Sequence, residues 1–118
     1  DDGLYRACLN NQLEIAQLMI QKGANQWNHG LKGACLGGHI KMVNSMINKG
    51  AYKWDDGLYE SCLGGHLQIV ELMIEKGAND WNRGLSAACE GKYPELMNLM
   101  IQKGATTCKC GKAIEAHM

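Results

Sequence analysis

The sequence predicts an all-α protein, built as an α-solenoid of four stacked helix-turn-helix repeats. Three observations favour this fold: the chain repeats every 27 residues, each block holds two apolar segments with helical spacing, and glycines separate those segments. The 118 residues divide without gaps, and eight columns hold one residue type in all four blocks. We treat the chain as a single repeat domain, with blocks at 1–27, 28–54, 55–81 and 82–108 and a C-terminal tail at 109–118.

The composition is typical of a globular protein and argues against several other classes. Hydrophobic residues make up 46% of the chain, which is enough for a core and too many for a disordered chain. Lys plus Arg and Asp plus Glu number 12 each, and this balance predicts neither a nucleic-acid partner nor an anionic membrane partner. No signal peptide opens the chain. Reduced cysteines fit a cytosolic setting, so we expect a cytoplasmic location. The absence of an initial Met leaves open that the chain is part of a longer protein.

The first helix of each block is expected to start at a capping residue and to end at glycines. In the third block, Asp55 is a good N-cap, and about two helical turns carrying Leu58 and Cys62 follow it. Gly64 and Gly65 are expected to end this helix, because glycine adopts the left-handed conformation at little cost. Capping residue types also stand at the equivalent positions Asp1, Asn28 and Asn82.

The second helix of the third block is expected to run from about Leu67 to Lys76. Gly77 closes it, and Lys76 lies in its last turn, where a positive charge suits the helix dipole. Pro94 stands at the first residue of the corresponding helix in block four, where its missing N–H does no harm. Neither helix is long enough to be stable alone, so each block needs its neighbours.

The stretch GLYESCLGGHLQIVELMIEKGAND, residues 57–80, resembles an ankyrin repeat. The matching positions are Gly57-Leu58, the small pair Ser61-Cys62, Gly65-His66, Val70 with Leu72-Met73-Ile74, and Gly77-Ala78. The resemblance covers residues 1–108 and is weakest where Gly91-Lys92-Tyr93 replaces Gly-Gly-His. The sequence of the blocks is also similar to the short ankyrin-type repeats of giant DNA viruses. It implies a non-enzymatic module that binds another protein, a host protein in the host cytoplasm if the chain is viral.

The length of the repeat departs from this family. An ankyrin repeat has about 33 residues, and the missing residues fall where the family places its β-hairpin finger. We therefore expect helical pairs joined by tight loops, with little or no strand.

The recurring cysteines, Cys8, Cys35, Cys62 and Cys89, are interpreted as small buried hydrophobic residues. Stacked helices lie about 8–10 Å apart, whereas a disulfide needs Cα atoms within about 7 Å, so neighbours should not bridge. Cys108, Cys110 and His117 suggest half a zinc site. Because only three ligands are present, we predict no metal and no cofactor and leave zinc as the alternative.

The histidines and tryptophans of the repeat receive structural interpretations. His39 and His66 recur in the interhelix turn and are expected to bond a loop carbonyl. No Ser, Asp or Glu recurs with them as a catalytic partner, so we predict that the protein is not an enzyme. Trp27, Trp54 and Trp81 precede the expected caps, in the position of a hydrophobic staple opposite Lys32, Tyr59 and Ser86. An exposed row of indoles that grips a peptide is the alternative.

Recognition residues are expected among the variable columns, since repeated columns build the scaffold. In ankyrin proteins, partners usually bind the concave side made by first helices and loops, and the resemblance implies the same here. The candidate partner-binding residues are Tyr5, Arg6, His29, Lys32, Tyr52, Lys53, Asp56, Tyr59, Glu60, Asp80 and Arg83.

Charge is distributed unevenly along the neutral chain. Block two carries four lysines and no acidic residue, whereas block three carries six acidic residues against one lysine. Such adjacent opposite potentials favour a protein partner of matching polarity. The alternative function is a structural spacer or a self-assembling repeat array, in which copies of the chain associate with one another.

Overall fold

The computed structural model describes residues 2–106, and every regular element in this range is an α-helix. The eight helices are α1 Asp2–Leu9, α2 Leu13–Gln21, α3 Trp27–Gly37, α4 Ile40–Lys49, α5 Trp54–Gly64, α6 Leu67–Lys76, α7 Trp81–Gly91 and α8 Pro94–Lys103. No residue of this range lies in a strand, so the prediction of an all-α chain is confirmed there. None of these helices has the length and apolar character needed to cross a bilayer.

The helices form four successive pairs along a body of 50 × 22 × 20 Å. Each first helix packs against the second helix of its own pair and against the first helix of the next pair, in the order α1, α3, α5, α7. The core between them includes the invariant Leu, Cys and Met columns. The fully buried members of these columns include Leu4, Leu31, Leu58, Leu85, Cys35, Cys62, Met46, Met73 and Met100. Variable apolar residues of the second helices, such as Val43, Ile69 and Leu96, complete this core.

The predicted start of the first helices is wrong by two residues, because the N-caps of α3, α5 and α7 are Gln26, Lys53 and Asp80. Each of α3, α5 and α7 begins at a tryptophan, so Asn28, Asp55 and Asn82 are their second residues and not their N-caps. Among these helices, the side-chain cap that the structure shows is Asp80, whose Oδ1 accepts a hydrogen bond from the Arg83 N–H at 3.3 Å. Asp1 lies outside the described residues.

The first helices are also longer than the two turns predicted from sequence. Helix α5 has 11 residues, because Gly64 is still helical and the left-handed residue is Gly65, with φ of 77°. The second helices agree with the prediction to the residue, since α6 runs from Leu67 to Lys76 and Pro94 is the first residue of α8.

The two histidines of the interhelix turns connect neighbouring pairs. His39 Nε2 lies 2.9 Å from the carbonyl oxygen of Leu9, and His66 Nε2 lies 3.0 Å from that of Leu36. A bond to a carbonyl was predicted, but the acceptor is wrong: it belongs to the end of the preceding first helix and not to a loop. Each imidazole thereby donates to a helix-terminal carbonyl that has no intrahelical partner.

A glycine column permits the close approach of these elements. A Cβ built on Gly64 would lie 2.5 Å from the Leu36 carbonyl oxygen, and one built on Gly91 would lie 2.7 Å from that of Leu63. A Cβ built on Gly37 would likewise lie too close to the carbonyl oxygen of Leu9. Because the obstacle is backbone, a larger residue would have to move a whole helix end.

We predict that Gly64→Ala destabilises the protein more than Gly57→Ala does. A Cβ at Gly57 would lie 2.5 Å from Met73 Sδ, and a thioether can change its rotamer, whereas the Leu36 carbonyl cannot yield separately. At both sites, alanine has a higher helix propensity than glycine, which favours the variant by up to about 1 kcal/mol. We expect a net loss of about 2 kcal/mol for Gly64→Ala and less than about 1 kcal/mol for Gly57→Ala. Urea unfolding followed by circular dichroism measures both values, and equal losses would contradict the assignment.

Candidate functional site

Six of the candidate recognition residues interact with one another on the first helices. We name Tyr5, Lys32, Asp56, Tyr59, Glu60 and Arg83 the central cluster. They come from all four first helices, and each lies partly buried. The surface that carries them is called the first-helix face below.

Arg83 joins α7 to α5 within this cluster. Its Nη1 lies 3.2 Å from Asp56 Oδ1, and its guanidinium carbon lies 5.2 Å from the centre of the Tyr59 ring. The two charged side chains are 41% and 27% exposed, so the ion pair contributes less than about 1 kcal/mol to stability. Its main effect is to hold the guanidinium over the tyrosine, in a fixed orientation on the surface.

Glu60 is the most electrostatically perturbed carboxylate of the cluster. Burial raises its pKa above the ordinary value; Lys32 and Arg83 lower this pKa in part, and Asp56 raises it further. Burial and the charge of Glu60 also raise the pKa of Tyr5. Gly33 occupies the same column as Glu60 in the preceding block, and its missing side chain lets the α1 backbone at Tyr5 lie close to α3. The first-helix face is therefore a mixed surface, with an acidic centre and basic neighbours.

The loop candidates are held by side chains of the preceding first helix. Asn28 Oδ1 accepts hydrogen bonds from the backbone N–H groups of Tyr52 and Lys53, at 2.8 and 3.1 Å. The side chain of Tyr52 is 63% exposed and that of Lys53 is also exposed. The backbone of this loop is thus fixed, whereas its side chains remain on the surface.

The same contact recurs at the following junctions. Asp55 Oδ1 accepts from the N–H groups of Asn79 and Asp80, at 2.8 and 3.0 Å, and Asn82 Oδ1 accepts from that of Thr106 at 2.8 Å. We call Asn28, Asp55 and Asn82 the loop clamps. Their role was missed in the sequence, although a column restricted to Asn and Asp, 24 residues before each loop, was a readable signal.

Two shallow depressions flank the loop of Tyr52 and Lys53. One has a volume of about 420 Å³ and is bordered by Trp27, Asn28 and His29; the other has a volume of about 410 Å³ and is bordered by Trp54, Asp55 and Asp56. Tyr52 and Lys53 line both depressions, so they form the ridge between them. His29 and Arg6 are exposed at the surface.

The tryptophans do not form hydrophobic staples. Trp27, Trp54 and Trp81 are the first residues of their helices, so they are not placed opposite Lys32, Tyr59 and Ser86 as predicted. Each indole instead lies half-buried against the next loop. A Cβ on Gly50 would be 3.4 Å from Trp27 Cδ1, and one on Gly104 would be 3.3 Å from Trp81 Cδ1. The structural interpretation holds with this different partner.

Cys8, Cys35 and Cys62 are free thiols, as predicted, and all three are buried. Burial raises the pKa of Cys8 to about 11 and those of Cys35 and Cys62 to about 12, with Glu60 adding to the shift of Cys35. Within the described residues, no three His, Cys, Asp or Glu side chains form a group that could hold a metal ion. Cys108, Cys110 and His117 lie outside the described residues, so the zinc alternative is not addressed by this structure.

A comparison of the sequence with models of known protein families and with curated protein sequences finds no match.

We predict that Asp55→Asn leaves stability nearly unchanged and that Asp55→Ala lowers it by about 1 kcal/mol. The amide oxygen of asparagine accepts the same two backbone hydrogen bonds, as Asn28 does one block earlier, whereas alanine leaves the two N–H groups without their acceptor. Thermal unfolding measures the difference. Equal stability of the two variants would contradict a clamping role.

We predict that Cys8, Cys35 and Cys62 resist alkylation by iodoacetamide at pH 8 in the folded protein. The thiolate is the reactive form, and pH 8 lies far below the raised pKa of each of these thiols, so they remain protonated. Peptide mass spectrometry identifies the labelled positions, and the same protein in urea is the positive control. Labelling of these three sites at the rate found in urea would contradict the prediction.

Proposed function

We propose that the chain is an ankyrin-like repeat scaffold, a solenoid without hairpin fingers, that binds another protein through its first-helix face and the adjoining loops. We infer no catalytic step for it. The observation that carries the proposal is the central cluster: variable residues from four successive first helices meet on one surface, where two tyrosines and an arginine lie among opposite charges.

The division between buried and exposed columns supports this proposal. The invariant Leu column lies in the shared core, whereas the six residues of the central cluster, which belong to variable columns, are partly exposed. Side chains at the surface can therefore differ from block to block without disturbing the stacking. This is the arrangement that a recognition surface on a repeat scaffold needs.

The chemistry of the cluster favours a protein as the partner. Tyrosine and arginine provide large contact areas and are frequent anchors in protein interfaces. The acidic Glu60 and Asp56 lie beside Lys32 and Arg83, so the surface complements a partner with both signs of charge. No uniform basic patch is available for a nucleic acid in this cluster.

The fixed loops support binding by lowering its entropic cost. The loop clamp Asn28 already orders the backbone of Tyr52 and Lys53, so binding does not have to immobilise that segment. The free thiols of the repeat also fit a reducing environment. We therefore propose a cytoplasmic location, that of the host if the chain is viral.

We expect Lys32→Glu to weaken binding at least about ten-fold, because it places a third negative charge beside Glu60 and Asp56 on the recognition surface. The matched control is Lys41→Glu, which makes the same charge change in the same block, but on the second helix α4. Partners recovered from cell lysate by the wild type are identified by mass spectrometry, and the strongest is purified. Its affinity for the three proteins is then measured by calorimetry.

The comparison of the two variants decides the proposal. A loss with Lys32→Glu and not with Lys41→Glu supports binding at the first-helix face. Equal losses, or a loss confined to Lys41→Glu, would place the binding surface elsewhere. Circular dichroism on both variants confirms that they are folded.

A further inference from the structure

The outer face of α2 exposes apolar side chains, one of which is buried at the equivalent position of every other pair. Ile15 is 43% exposed, whereas Met42, Ile69 and Leu96, the equivalent residues of α4, α6 and α8, are only 2–3% exposed. Leu18 is 52% exposed on the same helix. Ile15 and Leu18 are three residues apart and therefore lie on the same side of α2. Ile15 and Leu18 therefore form an apolar patch that is exposed on α2.

Another copy cannot cover this patch by stacking head to tail in the geometry of the internal junctions. At those junctions the preceding carbonyl lies against Gly37, Gly64 or Gly91, where a Cβ would be too close to it. The equivalent residue in the first block is Asn10, an exposed residue with a side chain. The histidine that bonds the preceding carbonyl at the first two internal junctions is replaced by Gln12 in this block. An open array of copies is thus disfavoured at this end.

The charges beside the patch are arranged symmetrically about Leu18. Glu14 lies four residues before Leu18 and Lys22 lies four residues after it, so the three side chains follow one stripe of the helix. When two such helices pair antiparallel about a two-fold axis at Leu18, each Glu14 faces the Lys22 of the second copy. Both ends of the contact then carry an opposite-charge pair, and the apolar residues lie between them.

We propose that two copies of the chain form a closed dimer through α2, paired antiparallel about a two-fold axis near Leu18. This contact is separate from the first-helix face and does not depend on the proposed function, because it requires no other protein. One helix from each copy forms a small interface, so the dimer is expected to be weak and to dissociate on dilution.

Sedimentation equilibrium of the purified chain at about 0.01–0.5 mM tests the dimer, in the weak range that such an interface allows. We expect the average mass to rise with concentration and to level off at twice the monomer mass. Leu18→Glu is expected to remain monomeric throughout. A wild type that stays monomeric, or whose mass continues to grow past the dimer, would overturn the proposal.

Charge reversal tests the antiparallel pairing separately. Glu14→Lys is expected to raise the dissociation constant at least about ten-fold, because the two-fold axis introduces the like-charge contact twice. Adding Lys22→Glu in the same chain restores opposite charges at both ends and should return the dissociation constant to within about three-fold of the wild type. Failure of this rescue would overturn the pairing.

The matched control is Glu95→Lys combined with Lys103→Glu, which makes the same reversal in α8. It reproduces the unfavourable effect on the helix dipole without touching α2, so it should leave the dimer unchanged. Circular dichroism on each variant verifies the fold. Since Leu18, Glu14 and Lys22 are all exposed, we expect every variant to fold.

Discussion

The close approach between successive first helices is the constraint on which the rest of this structure depends. No pair of helices has enough apolar surface to form a core by itself. The Leu, Cys and Met columns therefore stabilise the fold only when the next pair packs against them and buries them. The glycine column represented by Gly64 allows that distance, and the His66 imidazole satisfies the helix-terminal carbonyl that the approach buries. Packing and polar pairing thus require the same geometry.

This constraint also explains how the surface is organised. Because the first helices lie at a fixed spacing, residues of one column come side by side on neighbouring helices. Asp56 and Arg83 belong to one column and form an ion pair across α5 and α7. The second helices contribute buried apolar residues such as Val43, Val70 and Met100 to the core. The variable chemistry of the chain is therefore concentrated where the helices are closest.

Much of the fold could be predicted from the sequence, because glycine, proline and apolar spacing act locally. The bounds of α6 and the position of Pro94 depend on nothing beyond their own segment. The starts of the first helices could not be predicted in this way. Asp55 has the side chain of a capping residue, but its carboxylate accepts a hydrogen bond from the loop 24 residues later. It does not cap its own helix, which begins one residue earlier, at Trp54. The acceptor of His66 also lies in another block.

For the candidate site, the sequence indicated the columns but not the contacts. The pair of Asp56 and Arg83 was readable from their spacing of 27 residues once the blocks were aligned. The raised pKa of Glu60 was not, because it depends on burial in the folded chain and on charges of other helices, Lys32 on α3 and Arg83 on α7.

The loop clamps have a further consequence for how the chain reaches this structure. Every clamp and every junction histidine joins residues only 24 to 30 positions apart, so the bond partner of each new segment has already left the ribosome when that segment emerges. Contacts of such short sequence separation have a low entropic cost of closure and form quickly. The protein can therefore assemble in the direction of its synthesis, with each completed pair serving as the template for the next.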